Sequence, residues 1–295
     1  MDTLESLRRK IGAATELKSV VRSMKAMAAS NIGQYETAVN SLADYYRTVA
    51  LGIIAYFSEQ NIEPVIEKEE PKKKDENLIC TIVFGSDQGL VGQFNESLAD
   101  FVLKSINALP GKKEVWAVGE RVNQPLVDLG FTITNFFDIP NSVAAITPLV
   151  GQILIKSEES REKGSIKEVY IFHNQPKPGD GYIPISYRLL PLDKKWRQGL
   201  EKLHWPTKNL PQVAGKPELT LMTLIHEYLF VSLFKACAES MSSENESRLE
   251  AMQRAEKNID ELKENLSNKF NRMRQSSIDE ELFDIVSGFE ALKNV

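Results

Sequence analysis

The sequence predicts an α/β protein: a long antiparallel coiled coil of N- and C-terminal helices plus a Rossmann-like parallel-sheet domain. Three observations lead there. All 13 prolines lie between Pro64 and Pro217, leaving both ends of the 295-residue chain free of them. Apolar residues recur every seven positions in those ends. Between them, short β-branched runs alternate with helix-like stretches, the pattern of βαβ crossovers.

The first arm is read over 1–60. Proline in a helix interior costs ~3 kcal/mol and glycine ~1 kcal/mol relative to alanine, so a long helix needs their absence. Leu7, Ala14, Val21, Ala28, Tyr35, Leu42, Val49 and Tyr56 form one heptad series. Its companion is Leu4, Ile11, Lys18, Lys25, Ile32, Val39, Tyr46 and Ile53. Apolar a and d positions sustained this long predict a coiled coil, which Gly33 and Gly52 weaken locally. The two lysines favour a contact partner over a dry seam; the other reading is a solvated face with snorkelling side chains.

Residues 61–77 are read as a linker, charge-dense over IEPVIEKEEPKKKDEN (62–77). The α/β globular domain follows over 78–191. Its strands are LICTIVF (78–84), KEVWAVG (113–119), GFTITNFF (130–137), EVYIFHN (168–174) and YIPISYRLL (182–190). Helices are expected in FNESLADFVLKSINAL and across 142–160. A Pro-punctuated connection, 192–217, should fold over the sheet edge or join the second arm, 218–295. That arm has no glycine before Gly288 and carries Leu224, Val231, Ala238, Met252, Ile259, Leu266 and Met273, with Asn245 the polar exception. SMSSENES (240–247) is its weak point, where the stripe thins and the helix could break.

If the arms pair, they pair antiparallel. At 1.5 Å per residue they reach ~80 Å and ~110 Å, so the second outruns the first. Its end carries Ile278, Leu282, Ile285, Phe289 and Leu292 at 4, 3, 4, 3 spacing. Such a stripe, unpartnered within the chain, calls for a sleeve made by other subunits; the other outcome is an end that folds back.

Composition narrows the function. A net charge of -5 gives no reason to expect nucleic acid as a partner. Cys80 and Cys237 form no CxxC pair, which points to a reducing compartment. The start MDTLESLRRKIG lacks the apolar core of a signal peptide. No uninterrupted apolar run approaches the ~20 residues of a transmembrane segment. His173, His204 and His226 make no metal-binding pattern, and no G-x-S-x-G elbow occurs. Neither a catalytic residue, a cofactor nor a metal is expected.

VFGSDQGLVGQFN (83–95) is the one stretch that invites an enzyme reading. It follows the first strand of a βαβ unit, but its G-x-x-x-G-x-x-G spacing matches neither the dinucleotide fingerprint nor the P-loop. Backbone amides there could hold an anion. Alternatively the glycines serve a tight turn and close packing, with Asp87 bonding locally. An α/β nucleotide-binding enzyme with helical oligomerisation arms therefore stays open as the alternative, beside a coiled-coil adaptor.

LRRKIG with VVRSMKAMAAS (20–30), SDQGLVGQFN (86–95), AESMSSENESRLEAM (238–252) and MRQSSIDEELFDIVSGFEAL (273–292) resemble the gamma subunit of F-type ATP synthases. The departures are specific. Gln88 stands for the usual Arg, Val91 for Cys, Gln93 for Gly, Phe94 for Tyr, Asp279 for Thr and Phe289 for Ala. NIGQYE (31–36), WPTKNLP and HEYLFVSLF look more like the alternate bacterial type, often sodium-linked. The cysteine pair of chloroplast forms is absent. Over roughly 100–215 only the architecture agrees.

The resemblance implies a non-catalytic rotor in the central stalk of a rotary motor, coupling ion transport (hydrogen ion or sodium) to ATP synthesis or hydrolysis. It implies alpha and beta subunits as the ring, an epsilon-type subunit and the membrane c-ring as partners, and a peripheral place on the cytoplasmic face of a bacterial-type membrane. Carried over residue by residue, it assigns contacts with the catalytic subunits to Arg22, Met24, Lys25, Arg274 and Gln275; Lys18 joins them from its interruption of the apolar series. Leu282, Ile285, Val286 and Phe289 fall to an apolar bearing. Asp87, Gly89, Gly92 and Asn95 belong to a domain loop near the foot of the stalk that is not a nucleotide site.

Overall fold

The structure is a computed structural model that describes residues 3–60, 78–162, 166–177, 179, 181–192, 196, 199–200, 203, 205–209, 212 and 215–293. The side chains of 58–60, 162 and 288–293 stand outside that description, as do the linker 61–77 and His204. The elements are α1 (Leu4–Gln60), β1 (Leu78–Phe84), α2 (Phe94–Asn107), β2 (Lys112–Val118), α3 (Glu120–Asp128) and β3 (Ile133–Phe137). After a 3-10 turn at Val143–Ala145 come α4 (Ile146–Glu162), β4 (Ile166–Pro176), β5 (Tyr182–Leu190) and α5 (Pro217–Lys293). The chain forms two compact units, one of Met1–Ala28 with Arg248–Val295 and one of Ala29–Ser247.

In the larger unit a five-stranded sheet runs β3-β2-β1-β4-β5. The first four strands are parallel and β5 pairs antiparallel with β4, so the sheet is parallel-dominated but mixed. Alternation in β1 separates two cores. Cys80, Ile82 and Phe84 join Ile146, Val150 and Ile153 of α4 with Tyr35, Val49 and Ile53 of α1 and Leu229, Leu233 and Met241 of α5. Val83 faces the other way, with Leu98, Val102 and Ile106 of α2 and Val122 and Leu126 of α3. Each such large apolar side chain contributes about 1.5–3 kcal/mol when fully buried. In the connection, Leu192, Trp196, Leu200 and Leu203 pack on the first core, with Trp196 edge-on to Tyr228, centroids 5.3 Å apart.

The heptad series from Leu7 is the buried face of α1. Leu7, Ala14, Val21, Ala28, Tyr35, Val49 and Tyr56 are all buried, and Leu42 is half-buried. The companion series is half-buried until Ile53, which is fully buried. In the larger unit Asn31 donates to Asn245 (3.3 Å), Tyr46 stacks on Tyr228 and Tyr45 donates to Glu227 (2.6 Å), which is antiparallel pairing. In the smaller unit Ala14 and Val21 pack with Met252 and Ile259, again antiparallel.

Two points go beyond the sequence reading. α5 does not break at 240–247; it is one continuous helix there, and Ser240, Met241, Ser242, Ser243, Glu244, Asn245 and Ser247 are all buried. The apolar stripe thins because the helix is enclosed on a second face, where small polar residues meet the sheet. The helix α3 escaped the sequence reading because it is short and contains Pro125. One window of α5 also has the mean hydropathy of a membrane span, 1.3, but half of it is buried inside the protein, as expected of a core helix.

Candidate partner-binding surfaces

The glycine loop is tied to itself. Gly85 N–H donates to the Val118 carbonyl (2.8 Å) and Ser86 N–H to Asn95 Oδ1 (3.0 Å), while Asn95 Nδ2 donates to Ser86 Oγ (2.9 Å). A Cβ at Gly85 would stand 2.3 Å from Val122 Cβ, so glycine is what lets α3 approach β1. Gly92 takes φ 59°, whereas Gly89 has only Arg121 nearby and needs no such freedom. Asp87 carries the main consequence. Its Oδ1 accepts from Glu120 N–H (2.8 Å) and its Oδ2 from Ile139 N–H (3.1 Å). Asp87 thus sits at the N-terminus of α3, whereas the helix that follows the glycine loop is α2.

α5 meets the ends of β1 and β4 through polar side chains. Ser240 Oγ donates to the Phe84 carbonyl (2.9 Å), Ser243 Oγ to that of Asn174 (3.0 Å) and Ser247 Oγ to that of Val91 (2.5 Å). Tyr187 Oη donates to the Ser232 carbonyl (2.9 Å). Glu239 is paired with His173 Nε2 (2.8 Å), accepts from Gln175 Nε2 (3.2 Å) and has Lys235 at 3.8 Å. Burial pushes the Glu239 carboxyl upward, yet the hydrogen bond and charge of His173, helped by Lys235 and Gln175, leave it below the ordinary carboxylate value. Sequence reading passed over this face. Its signal was the 4, 3, 4 spacing of small or polar residues at 236, 240, 243 and 247.

In the smaller unit the four contact candidates of α1 gather on α5. Arg22 Nε and Lys25 Nζ donate to the two oxygens of Glu256 (2.7 and 2.6 Å), and Lys18 Nζ donates to Asp260. Met24 packs on the cluster of Ala14, Val21, Met252 and Ile259. Glu256 and Asp260 were not singled out from sequence, although they lie one helical turn apart opposite cations spaced at 18, 22 and 25. The bonds from Lys25 and then Arg22 bring the Glu256 carboxyl down to about 2. A depressed carboxylate stabilises fully above the ordinary range, and that contribution is lost as pH falls toward about 2. The E256Q chain is therefore expected to exchange amide hydrogens faster across 14–28 at low salt. Parent and variant should converge near ~1 M salt, where the screening length falls to ~3 Å. Equal exchange at low salt would show the pairs to be idle.

α5 continues past the start of α1. With Lys18 at Asp260 and Lys25 near Glu256, Leu4 falls near residue 274. Beyond it Ile278, Leu282, Phe283, Ile285 and Val286 are 47–77% exposed, so the end does not fold back on this unit. Arg274 and Gln275 are exposed at its start. Phe289 lies on the helix, with its side chain outside the description.

Among the described residues no group of His, Cys, Asp or Glu could hold a metal ion. Comparison with known proteins agrees with this arrangement. A family model described as ATP synthase matches residues 3–292. An ATP synthase gamma chain of Clostridium botulinum (strain Hall) is 27% identical over 98% of both chains. That of Syntrophus aciditrophicus is 26% identical over 99% of both. Among solved structures, a chain of the Euglena gracilis mitochondrial ATP synthase (OSCP/F1/c-ring, rotational state 3) superposes with a TM-score of 0.63 at 15% identity, covering 98% of this chain and 94% of that one. Two helical arms around a parallel-dominated sheet, and a family match spanning nearly every residue, place this chain in the ATP synthase gamma-chain family.

Proposed function

We propose that the chain is the central-stalk rotor of a rotary F-type ATPase, coupling ion flow in a membrane sector to ATP synthesis or hydrolysis in a ring of alpha and beta subunits. The observation that carries this is the bare apolar end of α5, with Leu282, Phe283, Ile285 and Val286 all more than half exposed. Contiguous apolar surface of this kind marks a protein interface. Apolar contacts are non-directional and need no register, which suits a surface that turns within its sleeve.

The polar candidates have a different task. Arg274 and Gln275, and the cations Lys18, Arg22 and Lys25 beside Met24, would give the ring preferred stopping positions. Arginine suits carboxylate contact because its fork is planar and bidentate. A shaft without the symmetry of its ring presents a different face to each catalytic site, and differential contacts bias each site toward a different conformation. An epsilon-type subunit and the c-ring would bind the globular domain at the cytoplasmic face of a bacterial-type membrane. The sodium-linked reading rests on NIGQYE, WPTKNLP and HEYLFVSLF. The enzyme alternative is disfavoured by the family match and by the glycine spacing of the loop, which fits no standard phosphate motif.

The test is co-expression with alpha- and beta-type subunits, then an ATPase assay with and without residues 274–295. One copy per ring, with turnover altered by truncation, is expected. Failure to join a ring, with nucleotide bound by the isolated chain, would sink the proposal.

A further inference from the structure

On a helix of 3.6 residues per turn, positions 232, 236, 239, 240, 243 and 247 of α5 fall within about 100° of arc. This is the face that meets the sheet. Ala236 is fully buried at its centre, and the flanking positions bond to Tyr187, His173, Phe84, Asn174 and Val91. Asn245 and the apolar stripe lie on the opposite side, toward α1. Contacts of this arc to the sheet are thus mainly hydrogen bonds, whereas those between the helices are mainly apolar, with Asn31–Asn245 and Tyr45–Glu227 as polar exceptions. Apolar packing resists separation but tolerates rotation of a helix about its own axis. Hydrogen bonds weaken steeply with misalignment, so a row of them resists that rotation.

We propose that this polar seam is the joint that carries torque between the sheet and α5, with Ser240, Ser243 and Ser247 as its positioning residues. The three hydroxyls reach the backbone carbonyls of Phe84 in β1, Asn174 in β4 and Val91 in the glycine loop. Glu239, held by His173 and Gln175, closes the row one residue before Ser240. Serine fits because it combines a donor with a volume small enough for close approach; Ser240 is 2% and Ser243 0% exposed. The role in torque rests on the rotor reading above.

The test uses the complex with alpha and beta subunits and the full chain. ATP-driven rotation is followed with a bead attached to the exposed side of α2, against increasing viscous drag, beside ATPase turnover without a bead. For the S240A/S243A/S247A chain, unloaded turnover is expected within about twofold of the parent, while torque under drag falls at least twofold. S243A alone should show a smaller drop in torque and guards against misfolding of the triple variant. Torque equal to the parent in both variants would overturn the proposal. So would an equal loss of loaded and unloaded activity in both, which would make the seam a packing feature. A parent complex that hydrolyses ATP without rotating the bead would instead refute the rotor reading.

Discussion

The G85A chain is expected to unfold with a stability lower by about 3 kcal/mol, the upper part of the usual range for overpacking. The added Cβ would lie 2.3 Å from Val122 Cβ, 2.7 Å from its Cγ1 and 2.9 Å from Asn95 Oδ1. No rotamer change relieves the first contact, because a Cβ is fixed by its backbone. α3 would have to move as a body, but Arg121 N–H bonds the Ser86 carbonyl and Glu120 N–H bonds Asp87. Moving α3 therefore strains the loop as well. The same substitution at Gly33 provides the contrast. Nothing lies within 4 Å of a Cβ there, and Gly33 is interior to α1. G33A should gain about 0.5–1 kcal/mol from helix propensity and reduced chain entropy. Denaturant unfolding followed by tryptophan fluorescence reports both, since fully buried Trp116 belongs to the same unit. Shifts of the same sign at the two sites would refute the close-approach account of Gly85.

This contrast also shows what could be read before the structure. Proline placement and the heptad from Leu7 gave the long helices, because burial along α1 follows one face and leaves a seven-residue signature. The strands were legible where β-branched runs are bounded by turns, and β5 coincides with YIPISYRLL. The glycine loop could be cleared of a standard phosphate motif by spacing alone. That its own Asp87 caps α3 could not be seen, because α3 itself went unread and the bond spans 33 residues. SMSSENES was misjudged for a related reason. Periodicity detects one buried face against solvent, and a helix buried on two faces of opposite chemistry loses that contrast. The partner residues fared differently again. Arg22 came from the family resemblance, Lys18 from its break in the apolar series and Lys25 from both, while Glu256 and Asp260 emerge only when antiparallel register brings the arms together.

Removing the Glu239 carboxylate should give a second large loss, about 3 kcal/mol for E239A at neutral pH, the order expected when one member of a buried pair is deleted. His173 is 1% exposed, and among the described residues its Nδ1 has no hydrogen-bond partner. The deletion would also orphan Nε2 and Gln175 Nε2, leaving polar atoms buried without compensation. E239Q keeps the volume and an acceptor and should lose less. The two substitutions differ most usefully in their pH dependence. The folded-state value of Glu239 lies below the ordinary 4.5, so the folded form binds this proton less readily than the unfolded one. Its contribution is then complete above 4.5 and declines as pH falls through the depressed value. Parent stability should drop on acidification below that point, and the E239Q profile should be flatter there because no carboxylate remains to titrate. Denaturant midpoints measured at neutral pH and at successive acidic values compare the two slopes. Parallel profiles would mean that the pair is held by shape alone. A flatter E239Q profile would show that charge at the junction of β4 and α5 helps fasten the helix to the sheet. The serine hydroxyls could then be weighed separately, since they carry no charge and should leave the acid limb of the profile unchanged.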